Sequence, residues 1–161
     1  MPAPRPLLLL LSLLPLCLAS RPANEDPCLF QGINVASFGN ATRQTSLEVT
    51  WNRDLCHLET RVDAPVCCGT VLIGHSIVVA DSLLTPPFPL AEPFFPGSLL
   101  YVGLEILLGP LTGSDAVHIF PADPALAGRA FFAQGIAIIF DPTSAGVELG
   151  VSQGTIAQLM L

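Results

Sequence analysis

The amino-acid sequence predicts an all-β fold: a disulfide-braced β-sandwich of about eight or nine short, mostly antiparallel strands. Three observations carry this. Residues 45–51 and 57–62 alternate side-chain polarity with a period of two, the mark of a strand with one covered face. Clusters of Gly, Pro, Asn and Asp recur between short β-like segments. No convincing amphipathic helix, with its 3.6-residue apolar spacing, is present.

Taken in order, Ile33–Phe38 is the first apolar segment. In Thr45–Trp51, the residues Leu47, Val49 and Trp51 share one face, and Ser46, Glu48 and Thr50 the other. In His57–Val62, the residues Leu58, Thr60 and Val62 oppose His57, Glu59 and Arg61. Thr70–Ala80 is a longer β-branched run with a bend expected at Gly74. Leu99–Leu108, Ala116–Phe120, Ala130–Phe140, Val147–Val151 and Thr155–Leu161 complete the set. Gly39-Asn40, Asn52-Arg53-Asp54, Gly109-Pro110, Gly113-Ser114-Asp115 and Asp141-Pro142-Thr143 are the turns. Proline suits such places because it fixes φ and removes a ladder donor. Pro124–Gly128 is read as a single helical turn, Pro at its start and Gly at its stop.

Residues 1–19 read as a cleaved secretory signal. Arg5 precedes an apolar run from Leu7 to Leu16, and Cys17-Leu18-Ala19 offers small residues before a cut at Ser20. The run is about ten residues, against roughly 20 for a membrane-spanning helix. A lipid anchor at Cys17 is the competing export route, disfavoured by Leu16 before it. Residues 20–30 form a polar, loose lead-in, and 31–161 a single sandwich domain. The mature part, about 140 residues, is long enough for one core. It carries five Arg, no Lys and thirteen acidic residues. That balance excludes an electrostatic footprint for nucleic acid or an anionic membrane.

Cys28, Cys56, Cys67 and Cys68 remain after cleavage, an even number in an oxidising compartment, and are read as disulfide partners. A bond between adjacent Cys67 and Cys68 would strain the backbone. The expected pairings therefore join Cys28 and Cys56 separately to that pair. A metal site from these cysteines and His57 lacks the usual two-to-four-residue ligand spacing.

Thr85–Gly97 holds five prolines, Pro86, Pro87, Pro89, Pro93 and Pro96, interleaved with Phe88, Phe94 and Phe95. Prolines exclude a central strand, so a long, stiff connection is expected. Its phenylalanines either cover an open end of the sandwich, the favoured reading, or form a contact surface for a partner.

Catalytic patterns are absent. There is no G-x-S-x-G elbow, and His75 and Ser76 should face opposite sides of a strand. His57, His75 and His118 lie on separate segments and are read as exposed strand positions. Asp115, Asp123 and Asp141 are read as turn formers rather than calcium ligands. No glycine-rich phosphate loop occurs, and no carboxylate pair is singled out as glycosidic. Asn40-Ala41-Thr42 fits a glycosylation acceptor and is treated as incidental.

The C-terminal third runs Phe120-Pro121-Ala122-Asp123-Pro124-Ala125-Leu126-Ala127-Gly128, then Phe131-Phe132-Ala133-Gln134, Asp141-Pro142 and Gly150-Val151-Ser152-Gln153-Gly154. Over residues 96–161 this resembles a recurring C-terminal β-sandwich domain of uncharacterised secreted bacterial proteins. Gln153 stands where that pattern usually has Asn. The resemblance implies an extracellular β-sandwich and no particular activity. Gln134, between apolar strand residues, is a candidate buried polar anchor whose amide must be satisfied by neighbouring backbone.

The expected function is a secreted, non-enzymatic domain with a structural, adhesive or partner-binding role toward an extracellular protein or glycan. No cofactor is implied. The alternative is a carbohydrate-binding module or small secreted hydrolase. It would need an exposed aromatic platform, and only Trp51 and Tyr101 qualify by type; both read as core or edge-strand residues.

Overall fold

Two apolar runs without strict alternation, Val71–Ala80 and Ala130–Asp141, become the inner strands of the molecule. Over most of their length, with Val71 and Ile73 among the exceptions, side chains on both faces are covered, which is why the period-two signal is lost. The computed structural model describes residues 28–66, 69–113 and 115–161. The signal segment, the lead-in before Cys28, and Cys67 and Cys68 lie outside the described residues.

In chain order the strands are β1 (Gly32–Phe38), β2 (Ser46–Asn52), β3 (His57–Asp63), β4 (Val71–Ala80), β5 (Leu83–Pro89), β6 (Leu99–Val102), β7 (Ile106–Thr112), β8 (His118–Pro121), β9 (Ala130–Asp141) and β10 (Gly146–Met160). A five-stranded antiparallel sheet has the order β1-β10-β9-β4-β7. The three-stranded sheet β2-β3-β8 packs on one face through Val62, Ala64, Ile77, Ala133, Ala137 and Ile139. The β5–β6 hairpin packs on the other face through Val78, Ala80, Leu100 and Val102. The fold is thus all-β, as expected, with the sandwich extended by a third layer.

Four chain segments differ from the sequence expectation. Leu99–Leu108 divides at Gly103 into β6 and β7, because the chain passes from the hairpin layer to the central sheet there. Gly103 is the passing point: an added Cβ would lie 2.9 Å from Ser82 Oγ. The two C-terminal segments join as β10, since Ser152-Gln153 forms a bulge between Val151 and Gly154 rather than a break between strands. The proline-rich stretch includes a strand, β5, tolerated because it pairs only with β6 and with a shifted register. The lead-in is not loose up to residue 30: Phe30 is fully buried with Cys28, Leu58 and Leu159. Burying such a side chain contributes about 2–3 kcal/mol, and Trp51 meets the Phe30 ring edge-on at 6.1 Å. The expected helical turn is a 3₁₀ turn at Pro124–Leu126, capped by Asp123, which accepts from the Ala125 N–H.

The disulfide joins Cys28 to Cys56, Cα atoms 5.2 Å apart, which corrects the pairing of each with the adjacent cysteines. The cause is Phe30. Its burial draws the lead-in against the tip of the β2–β3 hairpin, where Cys56 stands with φ +51°. The bond closes a separation of 28 residues, and chain entropy assigns such a loop about 3–4 kcal/mol. The Cys28→Ser/Cys56→Ser variant should therefore lose about 3 kcal/mol in urea unfolding, with a steeper slope because the freed unfolded chain exposes more surface. A loss below about 1 kcal/mol would show that the bond does not restrain the unfolded chain as calculated.

Candidate functional site

Gln134 stands on β9 with its side chain wholly buried. Its Nε2 donates to the Leu99 and Ser152 carbonyls, each at 2.9 Å, and its Oε1 accepts from the Tyr101 N–H at 2.9 Å. One amide therefore ties β9 to the hairpin layer and to the β10 bulge. Ser152 completes the knot: its Oγ accepts from the Gly135 N–H and donates to the Gln153 carbonyl. Every bond goes to this protein's own backbone, so Gln134 is occupied structurally and not presented to a ligand.

The three phenylalanines fall in two places. Phe88 projects from the hairpin, 60% exposed. Phe94 and Phe95 are half-buried along the free edge of β10, where Phe95 N–H donates to Leu149 O and Leu149 N–H to Pro93 O. The Arg43 guanidinium lies 4.7 Å from the Phe95 ring centre and pairs with Glu148. Trp51 and Tyr101 are half-buried, and Tyr101 Oη accepts from the Asn40 N–H. Asn40 itself is exposed.

The histidines are not exposed strand positions. His57, His75 and His118 are all buried. His57 is covered on the outer face of β3, its Nε2 2.7 Å from Glu59 Oε1. His75 and His118 come together from opposite sheets, rings edge-to-face with centres 5.3 Å apart. The sequence offered no sign of this, because the contact depends on β8 lying over β4. His75 has no hydrogen-bond partner of normal geometry at either ring nitrogen, and His118 none at Nε2. Burial pushes His75 below the usual histidine range; the Gly113 backbone opposes this and the Arg61 charge adds to it. Burial, with His75 alongside, does the same to His118. Among the described residues no group of three or more His, Cys, Asp or Glu is placed to hold a metal. Asp141 is a turn former: its carboxylate, held below its usual range chiefly by the Thr143 hydroxyl, also accepts from the Thr143 N–H.

Along the same inner face, two and four residues on from His75, lie Ile77 and Val79; two on from His118 lies Phe120. Here the layer opens. The central sheet has five strands and its cover three, so β7 extends past β8. The result is a cleft of about 280 Å³ walled by Leu58, Val79, Ile106, Phe120, Leu126 and Phe131. The charged residues lining it, Asp81 and Glu105, are both acidic. Glu105 is held in place: it accepts from the Asp81 N–H at 2.9 Å and from Ser82 Oγ at 2.9 Å. These bonds, the Asp81 N–H foremost, keep its carboxyl below the usual range. This cleft is the candidate functional site. Sequence reasoning missed it because its walls are ordinary core residues in the sequence. Comparison with family models, with curated proteins and with solved structures finds no match.

Two predictions follow from the buried polar groups. Gln134→Leu would strand two carbonyls and one N–H at about 1–3 kcal/mol each, so a loss of at least 3 kcal/mol is expected in chemical denaturation. A loss under 1 kcal/mol would show the hairpin layer to be held by its apolar contacts alone. For the histidine pair, the folded-state pKa values lie below the unfolded value of about 6.5. The unfolded chain binds the extra protons, so stability is complete above about pH 6.5 and falls as pH drops toward the folded values. His75→Leu should flatten stability between pH 7 and 5, where carboxylates scarcely titrate. An unchanged pH slope in that variant would place the acid sensitivity elsewhere.

Proposed function

We propose that this is a secreted, non-enzymatic domain that binds an extracellular partner through the cleft between β8 and β7. The observation that carries this is the cleft itself: an open, almost wholly apolar recess whose edge residue Ile106 is 53% exposed. Exposed apolar recesses of this kind are costly to leave in water and mark contact sites. Export is supported by the N-terminal pattern and by the Cys28–Cys56 disulfide, which fits an oxidising compartment. Among the described residues no helix is long and apolar enough to cross a membrane. The resemblance over residues 96–161 to secreted bacterial β-sandwich domains agrees with this role. The carbohydrate-binding alternative draws less support, since Trp51 packs on Phe30 and Tyr101 on Phe38, leaving no open aromatic platform from these two.

The test is an array of extended peptides and of glycans probed with the purified mature chain and with Ile106→Ser. Retention of peptides by the wild-type chain, weakened about tenfold by Ile106→Ser, is the expected result; that ratio corresponds to about 1.4 kcal/mol. Retention of glycans alone, or peptide binding indifferent to the substitution, would overturn the assignment.

A further inference from the structure

We infer that the cleft is built for an extended basic peptide, in which an apolar side chain enters between Val79 and Phe120 and a neighbouring Lys or Arg meets Glu105. The inference deepens the partner-binding role above and rests on it.

Size comes first. At about 280 Å³ the cleft lies just below the range of small-molecule sites, about 300–1,000 Å³. It suits one or two apolar side chains better than a whole cofactor. Charge comes second. The lining holds two carboxylates, and the preformed bonds from Asp81 and Ser82 fix where the Glu105 charge sits. A peptide cation spends no free energy on organising that acceptor. The third element is β7, which ends the central sheet beside the cleft. Its outer edge between Ile106 and Leu108 can align an extended chain, while Gly109-Pro110 limits that pairing to a short stretch. An extended backbone sends alternate side chains to opposite sides, so one anchor enters while its neighbours remain at the rim.

A second copy of this chain fits poorly. It would bring its own Asp81 and Glu105 against the first pair, on a protein of net charge −7 with six Arg and no Lys. An acidic or neutral apolar peptide would leave Glu105 facing apolar surface or a like charge, which costs more than it gains.

The experiment uses the mature, oxidised chain and fluorescein-labelled heptapeptides read by anisotropy. One probe alternates lysine with leucine, a second glutamate with leucine, a third lysine with serine. A decylamine competitor and sedimentation velocity complete the set. The lysine–leucine probe should bind at least tenfold more tightly than either control. Glu105→Gln should lower its affinity about tenfold, and 0.5 M salt should shrink that difference, as expected for a partly exposed charge pair. Circular dichroism of Glu105→Gln checks folding, and Asp81→Asn/Glu105→Gln provides a second variant if the first reorganises the turn. Equal binding of the glutamate–leucine probe would overturn the basic requirement while leaving partner binding through the cleft intact. Equal binding of the lysine–serine probe would reduce the effect to unspecific attraction and overturn it. Displacement by decylamine at equal concentration would assign the cleft to alkylamines instead of peptides, and self-association that buries Ile106 would assign it to a second copy. Indifference of every probe to both Glu105→Gln and Ile106→Ser would remove the cleft as a site and the function proposed for it.

Discussion

The arrangement of layers depends on the satisfaction of one buried amide. A fully enclosed glutamine must find partners for two donors and an acceptor, and in this fold they come from two strands in two layers, β6 and β10. Apolar contacts between β6 and the central sheet are non-directional and select a register only weakly. Gln134 selects one register. It meets Leu99 O and Tyr101 N together only when β6 crosses β9 at a single position. It also requires the Ser152 bulge, since in an unbroken ladder that carbonyl would belong to a neighbouring strand. The close approach is served by glycine on both sides: a Cβ at Gly154 would collide with the Phe38 ring, and one at Gly135 would stand 2.7 Å from Val62 Cγ2.

From that fixed register the remaining geometry follows. The hairpin covers one face of the central sheet and the β2-β3-β8 sheet covers the other. A five-stranded sheet covered by three strands must leave something uncovered. On the β1 side the lead-in fills the gap with Phe30, clamped by the disulfide to the hairpin tip. On the β7 side no equivalent segment arrives among the described residues, and the interlayer space stays open as the cleft. The two ends of the sandwich thus differ for a reason that can be named: one received a phenylalanine anchored by a covalent bond, the other did not.

The sequence reveals the parts that depend on local pattern. Alternation in residues 46–52 and 57–63 gave the correct inward faces, with Leu47, Val49, Leu58, Thr60 and Val62 all turned inward. Turn residues marked most strand ends, and Asp123-Pro124 marked the 3₁₀ turn. What stayed hidden depends on partners far away in sequence. The β10 bulge reads as a break between two strands because Ser-Gln-Gly interrupts the apolar run, and only the neighbouring amide pins it into one strand. The β5 strand reads as a linker because prolines are excluded from central strands and not from edges. The disulfide pairing required knowing that Phe30 would be swallowed by the core. The histidine pair and the cleft need the relative placement of β8 and β4, which no periodicity encodes.

The cleft and the histidine pair belong to one stretch of interior. Side chains two apart on a strand share a face, so His75, Ile77 and Val79 form a continuous row on β4, and His118 and Phe120 the facing row on β8. Charging either imidazole would place an ionised group in the buried interlayer space, which burial disfavours. A side chain seated between Val79 and Phe120 adds contacts to the same two rows and favours their closed spacing. A partner side chain seated as proposed and a proton would therefore act in opposite directions on the contact between β8 and β4. By linkage, a partner bound there would be held less tightly where the histidines are protonated. Glu105, whose carboxyl is held below its usual range, keeps its charge through the histidine range, so its attraction for a cation would not fade there. An acid-dependent loss of affinity in this protein would then be a property of the core and not of the rim.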